Sequence, residues 1–92
     1  MQKIVINTCR GGFGLSKEGK ELYASLEDGE DFKTYLISRN DPTLLHVVDK
    51  LGKAANGSFA YLRIVEIPNG VAWVIEKYDG IEWIAEKHRT WR

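Results

Sequence analysis

Residues 72–87 read AWVIEKYDGIEWIAEK, two runs rich in aromatic and β-branched residues on either side of Asp79-Gly80. Asp-Gly between such runs is the strongest short-range signal for a β-hairpin. A two-residue turn sets the register: Tyr78 opposite Ile81, Lys77 opposite Glu82, Ile75 opposite Ile84. Lys77 and Glu82 then form a favourable cross-strand pair. Tyr78 and Trp83 share one face of the hairpin, and Trp73 takes the other. Aromatics so placed are more often sheet core than ligand platforms, so one face reads as core and the other as an interface or pocket wall.

Working outward, Pro68-Asn69-Gly70 is a turn, and residues 59–67 (FAYLRIVEI) read as a long strand before it. Asp41-Pro42 is a helix start, a capping carboxylate followed by proline at the first helical position. Leu44, Val48, Leu51 and Ala55 lie on one stripe of that helix, flanked by Leu45 and Val47. His46 lies opposite the stripe and is expected in solvent. Gly52 or Asn56-Gly57 ends the helix. Residues 32–37 (FKTYLI) and residues 3–7 (KIVIN) read as two further strands. Between them Ser16 caps a helix that starts at Lys17, with Glu18 in its first turn. Leu15, Gly19, Leu22, Tyr23 and Leu26 give this helix one buried face, and Gly29 is its stop. The order is β-α-β-α-β-β-β. The expected fold is α+β: a small mixed sheet with two helices on one face and a C-terminal antiparallel β-meander.

Ninety-two residues make one domain with a modest core, about 60% of the unfolded surface being buried at this size. An oligomer would relieve that shortage. Net charge is zero, which gives no global attraction to DNA, RNA or a membrane surface. The distribution is uneven. Residues 1–20 hold Lys3, Arg10, Lys17 and Lys20 against Glu18 alone, whereas residues 21–31 hold five acids and no base. Cys9 is the only cysteine, so no intramolecular disulfide is expected, and a reducing compartment is the natural reading. The start, MQKIVIN, lacks the apolar region of a signal peptide, and no apolar run approaches the roughly 20 residues of a membrane span. The expected location is cytoplasmic.

The first candidate for chemistry is the strand-to-helix junction Arg10-Gly11-Gly12-Phe13-Gly14-Leu15-Ser16-Lys17. Glycines let backbone N–H groups approach a ligand closely, and a helix N-terminus favours an anion. Arg10 and Lys17 would add charge to a phosphate. Gly12 and Gly14 fit a dinucleotide fingerprint, but Lys17 replaces its third glycine, and the Gly-Lys-Ser/Thr ending of a P-loop is missing. The same glycines also serve a tight turn, and both readings stand. The second candidate is the tail, His88-Arg89-Thr90-Trp91-Arg92, where guanidinium and indole groups suit a base or phosphate and Trp91 suits packing equally well. A Cys9 nucleophile paired with a histidine is a third reading, with no clear orienting acid. No His-Cys cluster has metal-ligand spacing, and Glu27-Asp28-Gly29-Glu30-Asp31 lacks the spacing of a calcium loop. No metal and no cofactor are expected.

Three stretches resemble one family. Residues 3–9 (KIVINTC) followed by residues 11–16 (GGFGLS) are similar to the start of small, mostly uncharacterised proteins encoded by tailed bacteriophages. Arg39-Asn40-Asp41-Pro42 fits their second helix start. Residues 64–68 (IVEIP), then Val71, Trp73, Ile75, Tyr78-Asp79-Gly80 and residues 82–91 (EWIAEKHRTW), resemble their ending. The link between the first helix and the second strand varies in length in that family, and here it is short and acidic. Small phage proteins of this kind are similar to anti-defence sponges. Such sponges are non-catalytic homo-oligomers that sequester nucleotide second messengers, cyclic ADP-ribose variants or cyclic oligonucleotides, in the cytoplasm of the infected host. The resemblance implies a nucleotide site built from Arg10, Gly11, Gly12, Phe13, Gly14, Lys17, Tyr78, His88, Arg89 and Trp91. A protein-binding effector that docks on a host enzyme through the aromatic sheet face is the alternative, and a small Cys9-dependent enzyme the next.

Overall fold

The computed structural model describes residues 1–27 and 37–86. Its elements are β1 (Gln2–Asn7), α1 (Lys17–Leu26), α2 (Pro42–Leu51), β2 (Leu62–Ile67), β3 (Trp73–Tyr78) and β4 (Ile81–Glu86), with a 3₁₀ turn, Gly52–Ala55, after α2. The strand expected at 32–37 lies outside the described residues except for Ile37, which is buried. The Gly29 helix stop and most of the acidic link also lie outside them.

The local signals act as their chemistry requires. Ser16 caps α1: its Oγ accepts from Gly19 N at 3.0 Å, satisfying one of the free donors of the first turn. Asp41 caps α2, its Oδ1 accepting from Thr43 N at 2.9 Å, with Pro42 in the first turn. The same carboxylate accepts from the Tyr23 hydroxyl at 2.6 Å and so ties the two helices together. Burial pushes the Tyr23 phenol well above its ordinary range, and the Asp41 carboxylate adds to the shift.

The core is a cluster of Val5, Leu15, Tyr23, Leu44, Val47 and Leu62 with their neighbours, where α1 and α2 pack together and α2 packs across β1 and β2. The expected stripe of α2 is inward, and His46 is exposed. Leu26, expected on the buried face of α1, is exposed at the last residue of the helix. Ile4 to Asn7 are all buried. Side chains alternate along a strand, so both faces of β1 are covered.

The sheet arrangement sharpens the α+β expectation. β2 pairs with β1, antiparallel, from Gln2↔Ile67 to Asn7↔Leu62. β3 pairs with β4, also antiparallel, from Trp73↔Glu86 to Tyr78↔Ile81. The described strands thus form two two-stranded sheets. The three C-terminal strands make one hairpin plus a strand that returns to β1, not a continuous meander. β2 begins at Leu62, three residues later than the apolar run suggests, because a turn closed by Ala60 N donating to Gly57 O occupies the preceding residues. The hairpin itself has the expected register. Asp79 (φ 54°) and Gly80 (φ 85°) both take positive φ, the type I′ geometry that matches strand twist.

Candidate functional site

Asn7 ends β1, and its side chain is saturated. Nδ2 donates to Cys9 O at 2.6 Å and to Gly80 O at 2.8 Å. Oδ1 accepts from Tyr61 N at 2.8 Å and from Cys9 N at 3.3 Å. One buried amide therefore joins the glycine loop, the entry to β2 and the hairpin turn. Satisfying every donor and acceptor is what makes such a group tolerable in a core.

The hairpin turn rests directly on the glycine loop. A Cβ on Gly80 would stand 2.6 Å from Gly11 N and 2.7 Å from Gly12 N. A Cβ on Gly11 (φ 114°) would stand 2.5 Å from the Phe59 Cβ. Close backbone approach on both sides explains why glycines occupy these positions. Farther along, Gly57 N donates to Gly14 O at 3.0 Å, and Ser16 N donates to Ala55 O at 2.9 Å. Arg10 Nε lies 3.4 Å from Asp79 Oδ2 at the surface, a pair that screening leaves weak.

Beside this contact lies a cleft of about 540 Å³, lined by Gly12 and Phe13 on the loop side and by Lys77, Tyr78, Asp79 and Gly80 on the hairpin side, with Arg39 and Glu82 also in its wall. Glu82 is 4% exposed at its side chain and Arg39 21%. Arg39 grips the carboxylate with both terminal nitrogens, Nη2 donating to Oε2 at 2.8 Å and Nη1 to Oε1. Oε1 also accepts from Asn7 N at 2.8 Å. The guanidinium carbon stands 3.8 Å from the centroid of the Phe13 ring. Lys77 is opposite Glu82 as expected, but no ion pair joins them. The rigid guanidinium fork matches a carboxylate bidentately and takes Glu82 inward, which an exposed lysine cannot do. Among the described residues, Lys77 has no carboxylate within ion-pair distance.

The structure brings Gly12, Phe13 and Tyr78 together in the cleft. Gly11 lies under Gly80, and Arg10 is at the rim with Asp79. Gly14 is turned to Gly57, and Lys17 is exposed at the start of α1, outside the cleft lining. His88, Arg89 and Trp91 lie outside the described residues. Glu86, the last one before them, pairs with Trp73 at the end of the hairpin remote from its turn, about 17 Å along the strand. Sequence reasoning missed Arg39 and the inward role of Glu82. The signal was weak: Glu82 shares a hairpin face with Ile84 and Trp73, but Lys77 directly opposite offered a nearer cation, and nothing local points to Arg39.

Cys9 is half-buried, and its backbone is held on both sides by Asn7. Among the described residues no group of three or more His, Cys, Asp or Glu is placed to hold a metal, and no helix is long and apolar enough to cross a membrane. Comparison with protein-family models, with curated proteins and with solved structures found no match.

Proposed function

We propose that this is a non-catalytic protein that binds and sequesters a phosphate-bearing nucleotide, held in the cleft between the glycine loop and the tip of the β3–β4 hairpin. The observation that carries the reading is the charge pattern there. Among the described residues Arg39 is matched by Glu82 and Arg10 faces Asp79, whereas the Lys77 ammonium lines the cleft with no carboxylate within ion-pair distance and is offered to a phosphate. Beside it Tyr78 is 77% exposed and offers a ring for base stacking, and Phe13 supplies an apolar wall stiffened by Arg39. A cleft of this volume falls in the range of small-molecule sites. The resemblance to small phage proteins supplies the setting: a nucleotide signal of a bacterial anti-phage defence, removed in the cytoplasm of the infected host. The test is recovery of the protein from infected, defence-active cells, followed by mass spectrometry of the small molecules released on denaturation. A nucleotide in near-stoichiometric amount supports the reading; an empty protein from such cells contradicts it.

A second reading, a protein-binding effector, is favoured by the outward face of the hairpin, where Val74, Tyr78 and Trp83 are all exposed. A host enzyme retained stoichiometrically on the wild type, and lost from Trp83→Ser, would favour it. A Cys9-dependent enzyme is separated from both by Cys9→Ser, which a pure binder tolerates.

A further inference from the structure

Among the described residues the outer edge of β3 is open. In a two-residue hairpin the closing pair, here Tyr78↔Ile81, is hydrogen-bonded, and bonded pairs recur at every second residue. Glu76↔Trp83 and Val74↔Ala85 are therefore the bonded pairs of the ladder. Trp73, Ile75 and Lys77 turn their backbone N–H and C=O groups away from β4. Among the described residues nothing meets those groups: β3 has one neighbouring strand, and no loop bonds to its other side. β4, on the covered side, lies toward β1. The edge has no proline, and six residues of it are regular strand. Such an edge is a template for another strand.

The segment is complementary to itself in one register. Antiparallel pairing of β3 with a second β3 must match outward-turned residues with one another, so a two-fold axis passes through Ile75 or through Glu76 if overlap is to be long. An axis at Glu76 sets two Glu76 carboxylates directly opposite each other, in the close non-bonded spacing where like charges repel most. An axis at Ile75 removes that conflict. Ile75 then faces the partner's Ile75, Glu76 faces the partner's Val74, and Lys77 faces the partner's Trp73, an ammonium beside an indole.

We propose that the protein is a dimer in which β3 pairs with β3 of a second copy about an axis through Ile75, giving a four-stranded antiparallel sheet ordered β4-β3-β3-β4. This closes both open edges and enlarges the buried area of a chain whose own core is small. It also sets the partner's Trp73 beside Lys77, at the mouth of the cleft. The proposal goes beyond the nucleotide reading and is tested without any ligand, so the two fail separately.

The test combines sedimentation across about 1 to 200 μM protein with amide exchange at both ends of that range, since association follows mass action. A single β-edge contact is at the small end of specific interfaces, so a dissociation constant of roughly micromolar is expected. The expected result is a mass that doubles with concentration while the Ile75 amide slows in step. Ile75→Lys, which places two ammonium groups on the axis, is expected to stay monomeric with an unchanged circular dichroism spectrum. If that variant does not fold, the wild-type exchange decides alone. A monomer at every concentration, or a dimer whose Ile75 amide exchanges as fast as in the monomer, overturns the proposal.

Discussion

Gly80 is seated against the backbone of Gly12, so that a methyl group on Gly80 would lie 2.7 Å from the Gly12 nitrogen. Gly80 also has φ 85°, whereas Gly12 has φ 96° with open space where its own Cβ would be. The two positions therefore share one kind of strain and differ in the second. Gly80→Ala combines an unfavourable φ with a collision against backbone that cannot move aside, and should cost about 2–4 kcal/mol. Gly12→Ala should cost about 1–2 kcal/mol from φ alone. Urea denaturation of the two variants measures the difference, and equal losses would contradict the seating of the turn.

Arg39 and Glu82 are a largely desolvated pair, so removing either partner strands the other. Arg39→Met should cost about 3 kcal/mol, because the carboxylate left behind is nearly inaccessible to water. Arg39→Met combined with Glu82→Leu should cost less than the sum of the single changes, though Asn7 N would still lose its acceptor. A double-mutant cycle by denaturant unfolding reads the coupling directly.

Asn7→Asp keeps the shape of the side chain and removes its two donors. A carboxylate oxygen would then face Cys9 O and Gly80 O, now at 2.6 and 2.8 Å. The expected loss is about 2–4 kcal/mol, with faster amide exchange in the hairpin, which Asn7 no longer holds. Exchange unchanged there would show that the turn is held by other contacts.

Much of this was legible in the sequence, and the limits have physical causes. The hairpin register, both helix caps and the α2 stripe depend on local chemistry, and residues close in sequence carry it. The pairing of β2 with β1 and the bridge from Arg39 to Glu82 join residues more than forty positions apart, where no local pattern names the partner. The glycine loop shows the difficulty most clearly. Arg10 to Gly14 have the composition of an anion cradle and equally that of a tight seat, and only the position of Gly80 reveals the seat. A cross-strand Lys77–Glu82 pair was reasonable until a better-shaped cation entered from outside the hairpin, and that competition released Lys77 to the cleft.

Tyr23 gives a pH signature. Its phenol is raised above the ordinary value of about 10 because burial and the Asp41 carboxylate both disfavour the phenolate. The stabilisation is fully present below pH 10, the unfolded value, and is lost as pH rises through and beyond it, since the unfolded chain releases that proton more readily. The wild type should therefore lose stability relative to Tyr23→Phe as pH rises above about 10. At neutral pH the substitution should cost about 1–2 kcal/mol through the lost hydrogen bond to a charged acceptor. Parallel stability curves for the two proteins across that range would contradict the assignment.

Nucleotide binding in the cleft between Phe13 and Tyr78, proposed to rest on the Lys77 charge, can be titrated. Isothermal titration calorimetry against cyclic ADP-ribose isomers and cyclic di- and trinucleotides tests it most directly, with the wild type, Lys77→Ala and Tyr78→Ala in parallel. At least one nucleotide is expected to bind the wild type at micromolar affinity or better, and each substitution to weaken it about tenfold or more, the equivalent of one charge-assisted contact or one stacked ring. No binding below the high-micromolar range by any of the panel, or binding that both variants retain in full, would contradict it.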